Sequence, residues 1–472
     1  MSIDEVDDIL ALGETPSKTL SYIVLCFMIL FWVSGGFIIS LFLWGSRTAI
    51  TGALGRILGF MLEWKTMVII GVIFIVMLLA AFLYLYLIYK FARELLMALY
   101  VLLGVGLLGF GVFLIYLDPN LMVAGAIFAI IGLIVLILFL VFRERISLAG
   151  RMIELSAKSV WDEKGTMSLI IVKALLIAWT VITWIISLFF WTIMTYAALE
   201  GSQYQGVITL ATGLLLFFAG LWVLIFLDTF FSAAIVRIIH DWYRSPEVDV
   251  ASVRKGIGKA WEVSGSLAKY ALIFAILSFI IYLARSYSRR GRGRGAIAAR
   301  IVAWVTGFTH DVLKFLGFYM IPAMVIRKAG FKTAFKDSVN KLRDLFIETI
   351  AGMFGFEIVL GFLAFITAGS MGIIGYFIGY YVFSPIVGIN MDPTTVGLIS
   401  GIGLFVLSLI PIGLATSAVS VAWKTILYEY GLDVEFASRG IALPSRLPED
   451  IKMKFAEVLE ERRVPVSPVA TA

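Results

Sequence analysis

The sequence predicts an all-α membrane protein, a polytopic bundle of about ten transmembrane helices. Of its 472 residues, 61% are hydrophobic and only 15% are charged, whereas soluble domains are about one-quarter charged. Long stretches are apolar on every face, as in Val68–Tyr89, and a bilayer core about 30 Å thick needs roughly 20 apolar residues per helical crossing. A β-barrel would instead show alternating segments of about ten residues. Helices are expected because they satisfy their own backbone polar groups in lipid.

Ten apolar segments are the candidate spans. They are Leu20–Trp44, Thr66–Tyr89, Leu95–Leu117, Leu121–Phe142, Ser168–Leu199, Gly206–Ile238, Ser266–Ala284, Ile297–Ile326, Ile347–Val387 and Val396–Ala422. The ninth is too long for one crossing and contains glycines from Gly369 to Gly379, so we expect a broken helix or a re-entrant hairpin there. The spans divide the chain into an acidic N-terminal segment (1–19), a four-helix membrane region (20–142), a six-helix membrane domain (143–430) and a C-terminal tail (431–472).

The distribution of Lys and Arg predicts the orientation, because basic residues in short loops favour the cytoplasm. If ten spans alternate, Lys90, Arg93 and the segments 143–164, 237–259 and 327–343 fall on one side. We therefore expect a multi-pass protein of the cell membrane with both termini in the cytoplasm. The basic loop 285–300 falls on the outer side; either the seventh span does not cross fully, or packing overrides the charge rule.

Amphipathic segments in the predicted cytoplasmic loops indicate helices that lie at the membrane surface. In the clearest one, Phe335, Val339, Leu342 and Phe346 form one apolar stripe. Similar segments run from Val253 to Ser264 and, less regularly, from Ile146 to Val160. Each precedes two spans, which suggests three repeated units of an interfacial helix and a hairpin.

From about residue 145 to residue 440 the chain resembles an uncharacterised prokaryotic membrane-protein family of the DUF6159 type. It is also distantly similar to the membrane domain fused to some glycerophosphodiester phosphodiesterases. The matching segments are Gly150–Lys158 before Asp162–Lys164, Asp228–Ile235, Gly317–Ile326, and Ser417–Ser420 through Tyr428–Tyr430. The resemblance implies six helices with interfacial segments, and it implies no catalytic residue.

Two carboxylates lie deep in predicted spans, where ionisable groups are costly and often functional. They are Asp228 and Glu357. Either can hold a proton or bind a cation in a transport pathway. The alternative is a structural ion pair with Lys173, Arg237 or Lys314 that fixes the helices in register.

The eighth span adds a second polar group, formed by His310, Asp311 and Lys314. His310 and Lys314 are four residues apart and therefore share a helix face. A proton relay is one interpretation, and a polar lining or an ion pair is the other. Two ligands cannot complete a metal site, so neither metal nor cofactor is predicted.

The loop after the seventh span contains Arg289, Arg290, Arg292 and Arg294, alternating with glycine from Arg290 onward. Such a stretch resembles RNA-binding RGG segments. Because it is held between two spans, anionic lipid headgroups are the closer phosphates. We predict lipid contact and no binding of nucleic acid.

No motif of a hydrolase, metalloprotease, redox enzyme or nucleotide-driven pump is present in the sequence, and the only cysteine, Cys26, forms no disulfide framework. We therefore predict a non-enzymatic transporter, channel or lipid-handling protein. The alternative is an organising subunit of a membrane complex that binds lipid, a partner membrane protein or a second copy of itself.

Overall fold

The computed structural model describes residues 3–14, 17–45, 64–118, 121–245, 252–290, 294–384, 392–437, 439–441, 443–446 and 448. For some of these, Arg290 and Arg294 among them, only the backbone is described. This part of the chain contains helices and no strand. The helices are α1 (Ile3–Leu10), α2 (Thr19–Gly45), α3 (Trp64–Leu117), α4 (Met122–Asp162), α5 (Lys164–Ala198), α6 (Gln205–Arg244), α7 (Val253–Glu262), α8 (Ser264–Arg290), α9 (Arg294–Leu316), α10 (Met320–Ile326), α11 (Phe331–Asp344), α12 (Phe346–Ile378) and α13 (Pro393–Ala437).

The predicted fold class is confirmed. Eight described helices are long and apolar enough to cross a membrane, and counting the bent pair α9 and α10 as one span gives nine. Helix α3 joins the second and third predicted spans, since the intervening Lys90–Glu94 contains neither Gly nor Pro. Its 54 residues extend about 80 Å, well beyond one bilayer core, so the second and third predicted spans lie on one continuous helix.

The ninth predicted span is continuous rather than broken. Helix α12 runs unbroken and ends in a π-helical turn, Gly379–Phe383. Its glycines bring it close to α13: a Cβ atom added at Gly375 would lie 2.9 Å from the Cβ of Leu404. The expected break or re-entrant hairpin is therefore wrong as far as the described residues extend, because small residues here serve close helix packing.

The break lies in the eighth predicted span instead. Helix α9 ends at Leu316 and α10 starts at Met320, with a bend of 41° between them. Ser338 of α11 holds this break: its hydroxyl accepts a hydrogen bond from the Tyr319 amide at 3.0 Å and donates one to the Leu316 carbonyl at 2.7 Å. Pro322 has no amide hydrogen, so it cannot donate to the carbonyl four residues earlier.

Two of the predicted amphipathic segments are separate helices, α7 and α11. Both pack closely on the spans; in α7, for example, a Cβ at Gly256 would lie 2.8 Å from the Ala234 carbonyl oxygen. The third predicted segment is not separate, because α4 continues through it to Asp162 with a single non-helical residue, Phe142.

Candidate functional site

A cavity of about 490 Å³ opens between α5, α6, α8, α13 and the broken helix pair α9 and α10. This volume is in the range of small-molecule sites. Gly317 and Pro322 of the broken pair both line it. The irregular backbone in this span therefore borders a cavity, which is where membrane proteins tolerate it.

Asp228 lines the cavity and forms an ion pair with Lys173 of α5. The Lys173 ammonium lies 2.6 Å from Asp228 Oδ1, and the two side chains are 10% and 57% exposed. The Asp228 carboxylate is therefore paired on one side and open to the cavity on the other. Lys173 is one of the three basic residues that the sequence analysis named as ion-pair partners. The Asp228 carboxylate nevertheless remains accessible to a ligand.

The structure places His310 and Lys314 in the cavity lining as well. Asp311 is not among the lining residues; its side chain is 82% exposed and its Oδ1 lies 3.2 Å from His310 Nδ1. Glu357 is exposed on α12 and also lies outside the lining. Its charge nevertheless acts on Lys424, which does line the cavity. Of the five polar residues that the sequence analysis singled out in the spans, Asp228, His310 and Lys314 therefore line one cavity, and Asp311 and Glu357 do not.

Several lining residues escaped the sequence analysis. On α13 they are Ser417, Ser420 and Lys424, whose spacing of three and four residues places them on one helix face. On α8 they are Tyr270, Phe274 and Ser278, at a spacing of four. A search for polar residues at helical spacing within apolar spans would have found the first set, but the aromatic residues look like ordinary lipid-facing positions.

The aromatic rings form one wall of the cavity. The ring centroids of Tyr270 and Phe274 are 4.5 Å apart, and that of His310 lies 5.3 Å from Phe274. Also in the lining, the Lys424 ammonium sits 5.0 Å from the centroid of Phe318. The face of Phe318 thus already accepts a cation within this cavity.

Next to the cavity lies a buried network of charges that joins α1, α6 and α13. Arg237 donates to both oxygens of Asp7 at 2.8 and 2.7 Å. His240, which is fully buried, contacts Asp7 through Nε2 at 3.1 Å and Glu429 through Nδ1. Arg244 donates to the same Glu429 through Nε at 2.8 Å. Each nitrogen of His240 therefore faces a carboxylate.

The network continues towards the C-terminal tail. Arg244 pairs with Asp433, which accepts a hydrogen bond from the Tyr243 hydroxyl at 2.7 Å. Arg244 also donates to the Pro444 carbonyl at 3.1 Å, and the Arg446 amide donates to the Tyr243 carbonyl at 2.9 Å. Residues from both ends of the chain thus meet at one end of the bundle.

Asp7 is ionised in this setting. Burial by itself would raise its pKa, but the hydrogen bond to His240 and the charges of Arg237 and His240 outweigh burial and hold the pKa well below its usual range. The N-terminal helix is therefore attached to the bundle by a charged group rather than by apolar contacts alone.

The segment after α1 extends this attachment. The Leu12 amide donates to the Arg327 carbonyl at 2.8 Å. The Glu14 carboxylate accepts hydrogen bonds at 2.6 Å from both the Gly330 amide and the Thr333 hydroxyl, at the N-terminus of α11, where a negative charge is favourable. The sequence predicted an acidic N-terminal segment but not that its carboxylates are structural.

The four arginines predicted to contact lipid lie between α8 and α9. Arg289 is exposed at the end of α8. Arg292 lies outside the described residues, and Arg290 and Arg294 are described by their backbone only. Helix α8 has 27 residues, about 40 Å at 1.5 Å per residue, so the seventh span is long enough to cross. The conflict with the charge rule therefore does not come from a short helix.

The sequence model of the plasma-membrane choline transporter family matches residues 126–435. No curated protein matches the chain. The resemblance to the DUF6159 type and to the phosphodiesterase membrane domain, drawn on the same region, is wrong, because it rested on patterns of apolar and small residues that unrelated helical membrane proteins share. A multi-pass helical bundle with a polar cavity at a broken helix is consistent with the family match, which covers well over half of the residues. The chain belongs to the plasma-membrane choline transporter family.

Proposed function

We propose that this protein transports choline or another small quaternary ammonium compound across the membrane, and that the cavity around Asp228 is the substrate site. The observation that carries the proposal is the combination of an accessible carboxylate with aromatic rings in one cavity. Quaternary ammonium groups bind to aromatic faces through cation–π attraction, and they cannot donate hydrogen bonds. Tyr270, Phe274 and Phe318 supply the faces, and Asp228 supplies the countercharge.

The neighbouring charge network serves as the gate at one end of the pathway. Along both α6 and α13, the cavity residues come first and the network residues follow: Ser232 precedes Arg237, and Lys424 precedes Glu429. The network therefore lies on the side towards which both helices end. A substrate that leaves on that side passes only when α1 and the ends of α6 and α13 separate. The excess of Lys and Arg in the adjoining loops supports a cytoplasmic location for this side and for both termini.

Uptake of labelled choline into proteoliposomes tests the substrate. We expect uptake above that of protein-free vesicles, and a reduction of at least about tenfold in Asp228→Asn, because the variant leaves the Lys173 ammonium unneutralised beside the substrate cation. Asp311→Asn is the matched control, since Asp311 is 82% exposed and outside the cavity. Uptake equal to that of protein-free vesicles would refute the proposal.

A second pair of variants tests the aromatic wall. Phe274→Leu removes one π face while keeping an apolar side chain, and a cation–π contact is worth about 0.5–2 kcal/mol. We expect choline affinity to fall roughly 2- to 30-fold. Phe308→Leu is the control, because Phe308 is 62% exposed on α9 and outside the lining. Equal affinities in the two variants would remove Phe274 from the site.

The gate is tested by access to the cavity from the side of the termini. In a chain with Cys26→Ser, the substitution Ser232→Cys places one thiol in the lining. We expect slow reaction with a water-soluble thiol reagent when the network is intact and faster reaction when Asp7→Asn is added. The same rate in both chains would contradict the gate.

A further inference from the structure

The cavity is lined by more ammonium groups than carboxylates. Three ammonium groups, those of Lys173, Lys314 and Lys424, line it together with one carboxylate, Asp228. Lys173 is paired with Oδ1 of Asp228 at 2.6 Å, and the Asp228 side chain is 57% exposed. Among the described residues, neither Lys314 nor Lys424 forms a salt bridge.

The two remaining ammonium groups are close enough to act on each other. The charge of Lys314 repels that of Lys424, while Asp228 in the lining and Glu357 outside it attract Lys424 without forming a salt bridge to it. Lys424 also rests on the face of Phe318. An ammonium group kept within a membrane span without a salt bridge is costly and marks a ligand or ion pathway. Two such groups in one cavity indicate that the missing negative charge comes from the ligand.

Hydroxyl groups accompany these lysines. Ser278, Ser417 and Ser420 line the cavity, and within the described residues their hydroxyls form no hydrogen bond. Ser417 and Ser420 share a helix face with Lys424. The cavity thus offers two ammonium groups without a salt bridge and three hydroxyls that can donate, which is an arrangement that binds an oxyanion.

We infer that the substrate carries an anionic group, a phosphate or a carboxylate, in addition to its quaternary ammonium group. The anion binds to Lys314, Lys424 and the serine hydroxyls, and the ammonium group binds to the aromatic wall near Asp228. The preferred substrate is therefore a small soluble zwitterion. This inference rests on the proposed function, because it refines the substrate of the same cavity.

Competition binding to the purified protein tests the inference. The probes are choline, which is only a cation, and two zwitterions that share its trimethylammonium group, phosphocholine and glycine betaine. We expect at least one zwitterion to bind at least tenfold more tightly than choline. The order of the two zwitterions distinguishes a phosphate from a carboxylate, and a monoacyl lipid with the phosphocholine headgroup distinguishes a lipid from a soluble compound.

Variants make the test specific to charge. Lys314→Gln and Lys424→Gln should each weaken zwitterion binding at least tenfold while leaving choline binding equal or tighter, because each removes a positive charge. This opposite response separates recognition from misfolding, which would weaken both ligands. Lys269→Gln is the control, since Lys269 is exposed on α8, outside the cavity.

The outcomes separate the two proposals. Choline binding without competition by either zwitterion would overturn the inference and leave the proposed function in place, as would competition by the lipid alone. Failure of all trimethylammonium probes to bind would overturn the proposed function and the inference with it. Tighter zwitterion binding that depends on both lysines would support the two together.

Discussion

The substitution Asp7→Asn should release helix α1 from the end of the bundle. The Asp7 side chain is 9% exposed, and its carboxylate accepts two hydrogen bonds from Arg237 and contacts His240. An amide at this position carries no charge, and its NH2 group puts a donor where the carboxylate had a second accepting oxygen. The substitution therefore removes the ionic part of the attachment while it preserves the size of the side chain.

The expected cost follows from the partners that remain. Breaking a buried ion pair by removing one member costs about 3–5 kcal/mol, since the other charge is left uncompensated. In the variant, Arg237 keeps its ion pair with Asp241 at 2.8 Å, and His240 keeps its contact with Glu429. We therefore expect a cost at the lower end of this range. A loss of about 3 kcal/mol shifts the docking equilibrium of α1 on the order of a hundredfold.

Hydrogen exchange measured by mass spectrometry reports this equilibrium. In nanodiscs, the backbone amides of residues 3–14 should exchange on the order of a hundredfold faster in Asp7→Asn, while the spans stay protected. Asp8→Asn is the control, because Asp8 is exposed on the same helix and should change exchange by less than about threefold. Protection of α1 that is the same in Asp7→Asn and in the unmodified protein would refute the reasoning.

Three further results are expected. Gly375→Ala should lower the melting temperature in detergent, because the added Cβ would lie 2.9 Å from a leucine of α13, and such overpacking costs about 1–3 kcal/mol. Gly369→Ala should leave the melting temperature unchanged, because nothing lies within 4 Å of the added Cβ. Equal melting temperatures of the two variants would contradict the close packing. Ser338→Ala should cost about 1–3 kcal/mol, because it removes two buried hydrogen bonds at the broken helix, those to the Tyr319 amide and the Leu316 carbonyl. Ser370→Ala, on an exposed helix face, should stay within about 0.5 kcal/mol. The contribution of the Asp7 carboxylate to the docking of α1 should be constant from pH 8 to about pH 5 and disappear only in strong acid. Docking lowers the pKa of this carboxyl group, so the group stabilises the docked state fully above its unfolded pKa of about 3.9 and loses that effect as the pH falls through the folded pKa. Proteolysis of α1 followed over this range checks it, and release between pH 8 and pH 5 in the unmodified protein but not in Asp7→Asn would contradict the assignment.

Much of the candidate site was present in the sequence as separate features. Asp228, His310 and Lys314 stand out because charged groups within apolar segments are expensive and few. Their meeting in one cavity was not readable, because it depends on how α6 and α9 rotate and pack. Glu357 met the same sequence criterion as Asp228 and yet lies outside the cavity lining.

The charge network illustrates the same limit more strongly. His240 contacts Asp7 across 233 residues of sequence and Glu429 across 189. In sequence, Asp7 is one of several acidic residues in a short N-terminal segment, and nothing local separates it from Asp8. Only the position of α1 against α6 buries one carboxylate and leaves the other in contact with solvent.

The sequence by itself determined that lipid surrounds the apolar segments, that the protein is helical, where most of the spans lie and that they contain charged residues. These properties are local: hydropathy and backbone hydrogen bonding act within about 20 residues. The tertiary structure alone decided which helix is broken, which charged groups face a common cavity and how the N-terminal helix is attached to one end of the bundle. Those properties depend on contacts between helices distant in sequence, where a rotation of one helix by a fraction of a turn moves a side chain from cavity to lipid.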